Sequence, residues 1–472
     1  MSGTSIKRNV AYKFLLTVST YIMGFITFPY ISRVFGVEKL GLVNFVDNTV
    51  NYFLLFATMG ISLLGVREIA TVKNSREECS KVFSSILGLN FVFTAATLAV
   101  YFILVTCVPK LSQYSQLFYI GSAKILFTSF LIEWFFTGIE NFKYITLRSL
   151  LIKILYIASI FIFVKRQDQY TLYFILTVAT VVVNAIINIV YARKYVDIVP
   201  KELLSFKYLG SNVTLGVNSI VTSMYLTFNV MYLGFAASNT QVGYYTAAFK
   251  LYSVILAFFS AFTSVMLPRM SALYTGGEQD TFQKLITKSL SLVIAMSAPI
   301  IIYTVMMAPQ VIALLSGPGY EGAVLPMRII MPAILFVGIA QVLVVQLLIP
   351  LKKDSLLLKV YIISALVGLA INIFAVPQIQ SVGSAIVLLT AEGLSALLFI
   401  SYVRRNRLAA FSFRSLAKSI GLSLPLIPVC YLSGLFISSS FIALAVSGLI
   451  SAVIYLLYFK YVKDFKEGVL GR

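Results

Sequence analysis

The chain has 472 residues, 59% of them hydrophobic, and a mean hydropathy of +0.93. That excludes a soluble domain, and apolar runs of about 20 residues match helices crossing a hydrocarbon core about 30 Å thick. The runs do not alternate polar with apolar, so a membrane β-barrel is excluded as well. The net charge of +20 lies in short loops between runs, which reads as membrane flanks and not as a nucleic-acid surface. With no histidine and only the dispersed Cys79, Cys107 and Cys430, no metal site, disulfide or cofactor is expected.

The first apolar run is followed by Pro29 and Arg33 and not by small residues, so it reads as a transmembrane helix and not as a cleavable signal. In chain order the spans are expected at 10–32, 41–64, 82–106, 114–138, 144–164, 170–191, 211–235, 242–266, 287–307, 322–349, 356–376, 382–402, 415–436 and 440–459. The expectation is therefore an all-α integral membrane protein of about 14 helices. Of the 37 Lys and Arg, 28 fall on the side of the termini, and five (Arg33, Lys39, Lys110, Lys165, Arg166) fall opposite. By the positive-inside rule both termini are expected in the cytoplasm.

The hairpin from Phe28 to Phe45 returns 202 residues later: Tyr232 stands for Tyr30, Gly243 for Gly41 and Lys250 for Asn48. Six helices per repeat is an even number, so the halves insert the same way up, related by a pseudo-two-fold axis along the membrane normal. The expected organisation is an N-terminal six-helix lobe over 1–196, an amphipathic interlobe linker over 197–210, and a C-terminal six-helix lobe over 211–403. Two appended helices and a basic tail follow over 404–472. The linker segment from Val199 to Leu209 reads as lying on the membrane surface.

Seven ionisable residues fall inside spans: Asp47, Lys124, Glu133, Lys153, Lys250, Arg328 and Glu392. Each costs about 2.5–3.5 kcal/mol at a bilayer centre unless it meets a partner or water. Structural ion pairs and snorkelling compete with function as explanations, most of all for Glu133 and Glu392. Four cations against three acids leave a weakly positive interior, suited to an anionic cargo held by paired hydrogen bonds from Arg. Asn44, Asn48 and Asn51 share a helix face beside Asp47, and Asn184 with Asn188, Asn218 and Asn229 add further amides. These amides suit sugar hydroxyls or, equally, bonds between helices. Pro29, Pro299, Pro326, Pro332, Pro425 and Pro428 interrupt spans and permit kinks. No phosphate-binding Gly-rich loop ending in Lys-Ser/Thr is present, so the chain is not expected to hydrolyse ATP.

Three stretches carry a family resemblance. The hairpin from Phe28 to Phe45 is one, and Gly243-Tyr244-Tyr245-Thr246-Ala247-Ala248-Phe249-Lys250, followed by Leu267-Pro268-Arg269, is another. The most specific is Glu133-Trp134-Phe135-Phe136-Thr137-Gly138-Ile139-Glu140. Together they resemble the polysaccharide (O-antigen/capsule) flippases of the multidrug/oligosaccharidyl-lipid/polysaccharide exporter superfamily.

The resemblance implies a transporter and not an enzyme. It implies translocation of an undecaprenyl-diphosphate-linked oligosaccharide across a bacterial inner membrane, by alternating access through a cationic central cavity. H+ or Na+ is the implied coupling ion, with Asp47, Glu133 and Glu392 as candidates among which the sequence does not choose. Lys250, Arg328 and Lys124 are expected on the pyrophosphate or acidic sugars, with Lys153, Asn48, Asn44 and Arg33 completing the substrate-binding set. Membrane lipid, and the polymerase and chain-length proteins of the same pathway, are the implied partners. A lipid II flippase or multidrug exporter of the same superfamily stays open as an alternative. A membrane polysaccharide polymerase is disfavoured by the short outer loops.

Overall fold

The computed structural model describes residues 6–223, 227–409 and 413–461. The expected basic tail residues Lys463, Lys466 and Arg472 lie outside them, as does the side chain of Asn218. Among the described residues every regular element is helical. Among the described residues ten helices are long and apolar enough to cross a membrane, or eleven if Glu321–Ile330 and Ala333–Leu348, bent by 41°, form one span. The protein is thus a multi-pass, all-helical membrane protein.

Two of the described helices run on from one expected span into the next. α1 (Ile6–Thr58) runs 53 residues, about 80 Å at 1.5 Å per residue, against about 30 Å of hydrocarbon. It holds the first expected span and most of the second, joined at Gly36 (φ 67°, ψ 176°) in place of a loop, and the rest of the second continues in the helix that begins at Ile61. Only glycine takes that conformation without a steric penalty, so one residue redirects the backbone. The 52-residue helix Asp354–Arg405 does the same for the spans expected at 356–376 and 382–402, with its break at Gln380.

The chain packs into two compact units: Met1–Thr27 with Glu38–Phe235, and Phe28–Val37 with Ala236–Arg472. In the first unit, α1 is followed by α2 (Ile61–Val72), α3 (Arg76–Cys107), α4 (Pro109–Ser112) and α5 (Ser115–Thr128). Then come α6 (Glu133–Gly138), α7 (Phe142–Phe163), α8 (Tyr170–Ala192), α9 (Leu209–Ser223) and α10 (Thr227–Ala236). α3 begins where the Ser75 hydroxyl accepts the Glu78 amide at 3.3 Å. Glu77 and Glu78 then place negative charge on its first turn, where the helix dipole favours it.

The span expected at 114–138 is broken between α5 and α6, and Ile132 (φ 38°) and Glu140 (φ 60°) turn the backbone on either side of α6. Carbonyls released by the break are taken up by side chains. Asn90 donates to Ser129 at 3.4 Å, and Asn188 donates to Leu131. Such compensation is required wherever a helix breaks inside a membrane. Trp134, Phe135 and Phe136 are buried with Phe83 and Ile69, with Trp134 and Phe83 ring centroids 5.6 Å apart. Between α8 and α9, Ser84 accepts the Val199 amide at 2.8 Å and Ser85 donates to Glu202 at 3.0 Å. This ties the linker to α3, while Leu204 (76%) and Phe206 (54%) stay exposed.

The second unit contains α11 (Asn239–Thr275), α12 (Gln279–Met306), α13 (Ala308–Ser316), α14 (Val324–Ile330) and α15 (Ala333–Gln341). α15 continues as a π-helical stretch over Val342–Leu348. α16 (Asp354–Arg405), α17 (Phe413–Ser423), α18 (Leu426–Phe436) and α19 (Ser440–Tyr461) complete the unit. Gly243 of α11 packs so tightly on the Phe28–Val37 segment that a Cβ there would fall 2.6 Å from Val37 Cγ2. Pro332 stands at the bend of the span expected at 322–349, and Pro425 caps α18 at the break in the one expected at 415–436. The last helix is fastened to α12: Tyr303 donates to the Leu444 carbonyl at 2.7 Å, and Tyr455 donates to that of Ala295 at 2.5 Å.

Candidate functional site

In the first unit the acids expected inside spans are paired. The Lys124 ammonium of α5 donates to Asp47 of α1 at 2.6 Å, and Asn51 donates to the other carboxylate oxygen at 3.2 Å. Glu133, at the start of α6, accepts from Arg148 of α7 at 2.6 Å. Arg148 is buried and also donates to Asn188, whose amide oxygen accepts from Tyr144 at 3.1 Å as well. Lys153, one turn after Ser149, donates to Thr20 at 2.6 Å, Ser19 at 2.9 Å and the Leu16 carbonyl at 3.3 Å. A cavity of about 470 Å³ opens beside it, lined by Glu133, Lys153, Ser149, Thr180 and Asn184.

The amides of α1 look inward along their own helix. Asn44 donates to the Leu40 carbonyl and Asn48 to that of Asn44, each at 2.8 Å. Each amide nitrogen spends a proton on the backbone, while the oxygen can still accept.

In the second unit the charges are dispersed. Arg33 donates to the Leu314 carbonyl at 2.5 Å, that of Ala313 at 3.4 Å and that of Pro29 at 2.6 Å. It thereby satisfies the last carbonyls of α13, the role a basic side chain takes at a helix C-terminus. The Lys250 ammonium of α11 sits 5.4 Å from the Phe28 ring centroid, a cation–π contact. Arg328 of α14 donates through Nε to the Val305 carbonyl at 3.2 Å and lines a separate cavity of about 580 Å³. Glu392 of α16 is buried and accepts from Tyr252 of α11 at 3.3 Å.

The seven residues thus fall into two sets. Asp47 with Lys124, and Glu133 with Arg148, are ion pairs, whereas Lys153, Lys250, Arg328 and Glu392 join no ion pair among the described residues. Arg148 is the participant that sequence reasoning missed, because it counted among the basic flanks. Its place four residues inside the apolar run 144–164 does not mark it out, because a side chain of that length can also snorkel to the interface.

The sequence profile of the family described as polysaccharide biosynthesis protein matches residues 6–274. A putative O-antigen transporter of Escherichia coli (strain K12) is 25% identical over 407 residues, covering 86% of this chain and 98% of the relative. A putative O-antigen transporter of Shigella dysenteriae is 25% identical over 388 residues, covering 80% and 94%. Among solved structures, the lipid II flippase MurJ in an inward closed conformation superposes with a TM-score of 0.79 at 16% identity, covering 98% of this chain and all of that one. An outward-facing multidrug resistance MATE family transporter of the MOP superfamily gives 0.55 at 13% identity, covering 86% and 98%. The helical fold is therefore the one these two structures share.

Proposed function

We infer that this chain, which belongs to the polysaccharide biosynthesis protein family, is a flippase moving an undecaprenyl-diphosphate-linked oligosaccharide from the cytoplasmic to the periplasmic leaflet of a bacterial inner membrane. The observation that carries the reading is Lys250. It is a cation in mid-span that meets an aromatic ring and, among the described residues, no carboxylate, so its charge is available to an anionic cargo. The family and the O-antigen transporter relatives supply the cargo class.

In this reading Lys250 holds the diphosphate by charge, and Arg328 contacts the glycan. Lys153 is held by hydroxyls and not by an acid, so its positive charge is likewise available to the cargo. Lys124 is neutralised by Asp47 and joins only when that pair opens. Asn44 and Asn48 offer amide oxygens, and Arg33 is held as a helix cap. Among the three coupling candidates, Asp47 and Glu133 already face cations, so we assign H+ or Na+ coupling to Glu392, which among the described residues accepts from a neutral phenol and pairs with no cation. Fourteen spans with both termini cytoplasmic fit the doubled helices α1 and α16, the bent pair and the lopsided charge of the loops, once α9 and α10, on either side of residues 224–226 that lie outside the described ones, are counted as the span expected at 211–235. Polymerase and chain-length proteins are the natural downstream partners.

The test is transport of a fluorescent undecaprenyl-diphosphate oligosaccharide in proteoliposomes, comparing wild type with Lys250→Ala plus Arg328→Ala. Flipping by wild type, lost in a folded double variant, supports both cargo and site. Flipping by both removes the site assignment. Extrusion of organic cations without flipping replaces the function.

A further inference from the structure

The cavity around Arg328 is built by three segments of the second unit: the start of α11, the stretch from Glu321 to Arg328, and the break in α16. Its polar groups are unusually mixed. Gln241, Gln378, Gln380 and Ser381 bring amides and a hydroxyl, Glu321 a carboxylate and Arg328 a guanidinium.

The walls are fixed in place. Gln241 accepts from the Ser381 hydroxyl at 2.6 Å and its amide at 3.4 Å, which ties α11 to the break in α16. Gln380 is held there at φ 49°, ψ −119°, a conformation costly for any residue but glycine. Arg328 is oriented by its Nε bond to Val305, and Glu321 accepts the Gly319 amide at 3.1 Å. Arg328 and Glu321 do not pair with each other among the described residues. The Tyr244 ring packs directly against Gly322, where a Cβ would come within 2.6 Å of ring carbon Cζ.

We propose that this cavity is a pyranose-binding subsite that receives the glycan head group at the outer ends of the helices. Donors and acceptors in near-equal supply match a ring of hydroxyls, each of which gives one proton and accepts in turn. A phosphate or a uronate would meet Glu321 as well as Arg328, so the balance of charge favours a neutral sugar. The Tyr244 ring supplies the apolar wall against which the C–H face of a pyranose packs. At about 580 Å³ the space lies within the roughly 300–1,000 Å³ of small-molecule pockets. The outer location and the oligosaccharide rest on the flippase reading; the sugar chemistry rests on the cavity.

The test separates the two. The probe is the water-soluble glycan released from the host cell's own lipid-linked repeat unit, titrated by saturation-transfer NMR onto the full chain in nanodiscs. Wild type should show transfer to ring protons. Gln378→Ala, an exposed position, and Tyr244→Leu should each weaken binding about tenfold, the equivalent of one lost contact of about 1.4 kcal/mol. Lys250→Ala should leave the free glycan bound. Absence of transfer to wild type, or equal binding by the Gln378 and Tyr244 variants, overturns the subsite. Flipping is read in parallel in proteoliposomes: binding without flipping removes the transport reading and keeps the cavity, and flipping without binding does the reverse.

Discussion

Lys124 on α5 donates to Asp47 on α1 at 2.6 Å, joining residues 77 positions apart. The pair is largely enclosed, with side-chain exposures of 12% and 27%. Breaking it in one direction leaves an ammonium ion without its counter-charge. Asp47→Asn should cost about 2 kcal/mol, less than the roughly 3–5 kcal/mol of a fully buried pair because water still reaches the carboxylate. The exchange Asp47→Lys with Lys124→Asp should recover most of that. Thermal unfolding of the detergent-purified variants checks both. Unchanged stability in Asp47→Asn would mean that the pair does not hold these helices together.

Arg148 and Glu133 should respond unequally. Arg148 is buried and serves both Glu133 and Asn188, whereas the Glu133 side chain is 47% exposed. Arg148→Ala strips a charge and several hydrogen bonds from the α6–α7–α8 junction and should abolish the monodisperse peak in size exclusion. Glu133→Gln keeps a hydrogen-bond acceptor for the guanidinium, and its loss should stay below about 1 kcal/mol, as for pairs that water screens. Equal yields of the two variants would contradict this asymmetry.

What could be read in the sequence follows from what each signal measures. Hydropathy over about 20 residues reports depth in lipid, so the apolar runs foretold the helices and the seven unusual charges. It does not report how two runs are joined, and Gly36 and Gln380 each replace a loop with a single residue of positive φ. The Trp134 motif was legible as a signature, yet its rings fill the core, and Glu133 is its polar member in an ion pair. Arg148 was hidden because charge counting near a span end cannot tell a flank from a buried partner. The roles of Asn44 and Asn48 were equally hidden. An amide bonded to its own helix and an amide facing a ligand look alike in sequence.

Glu392 provides the test of coupling. The side chain is buried and accepts from Tyr252, so it must either carry a proton or, when ionised, take a cation beside it. Glu392→Gln keeps the hydrogen bond from Tyr252 and removes the titratable group. Flipping in proteoliposomes should continue at a reduced rate that no longer responds to an imposed proton or sodium gradient. A retained response would move the coupling site to Asp47 or Glu133. Tyr252→Phe provides the control, because it alters the partner and leaves the acid.

Gln380 separates strain from chemistry. Its φ of 49° places an L-residue where the side chain crowds the backbone, at about 1–2 kcal/mol. Gln380→Gly removes that crowding and gives back roughly 0.5–1 kcal/mol through the greater freedom of glycine in the unfolded chain. The net result should be a gain of about 0.5–1 kcal/mol in stability. Gln380→Ala keeps the crowding and should gain nothing, so the difference between the two variants isolates the backbone from the lost amide. If glycine and alanine unfold at the same temperature, the break in α16 carries no strain at this position. If glycine stabilises the protein and weakens glycan binding, the strain is held for the sake of the amide that Gln380 brings to the cavity wall.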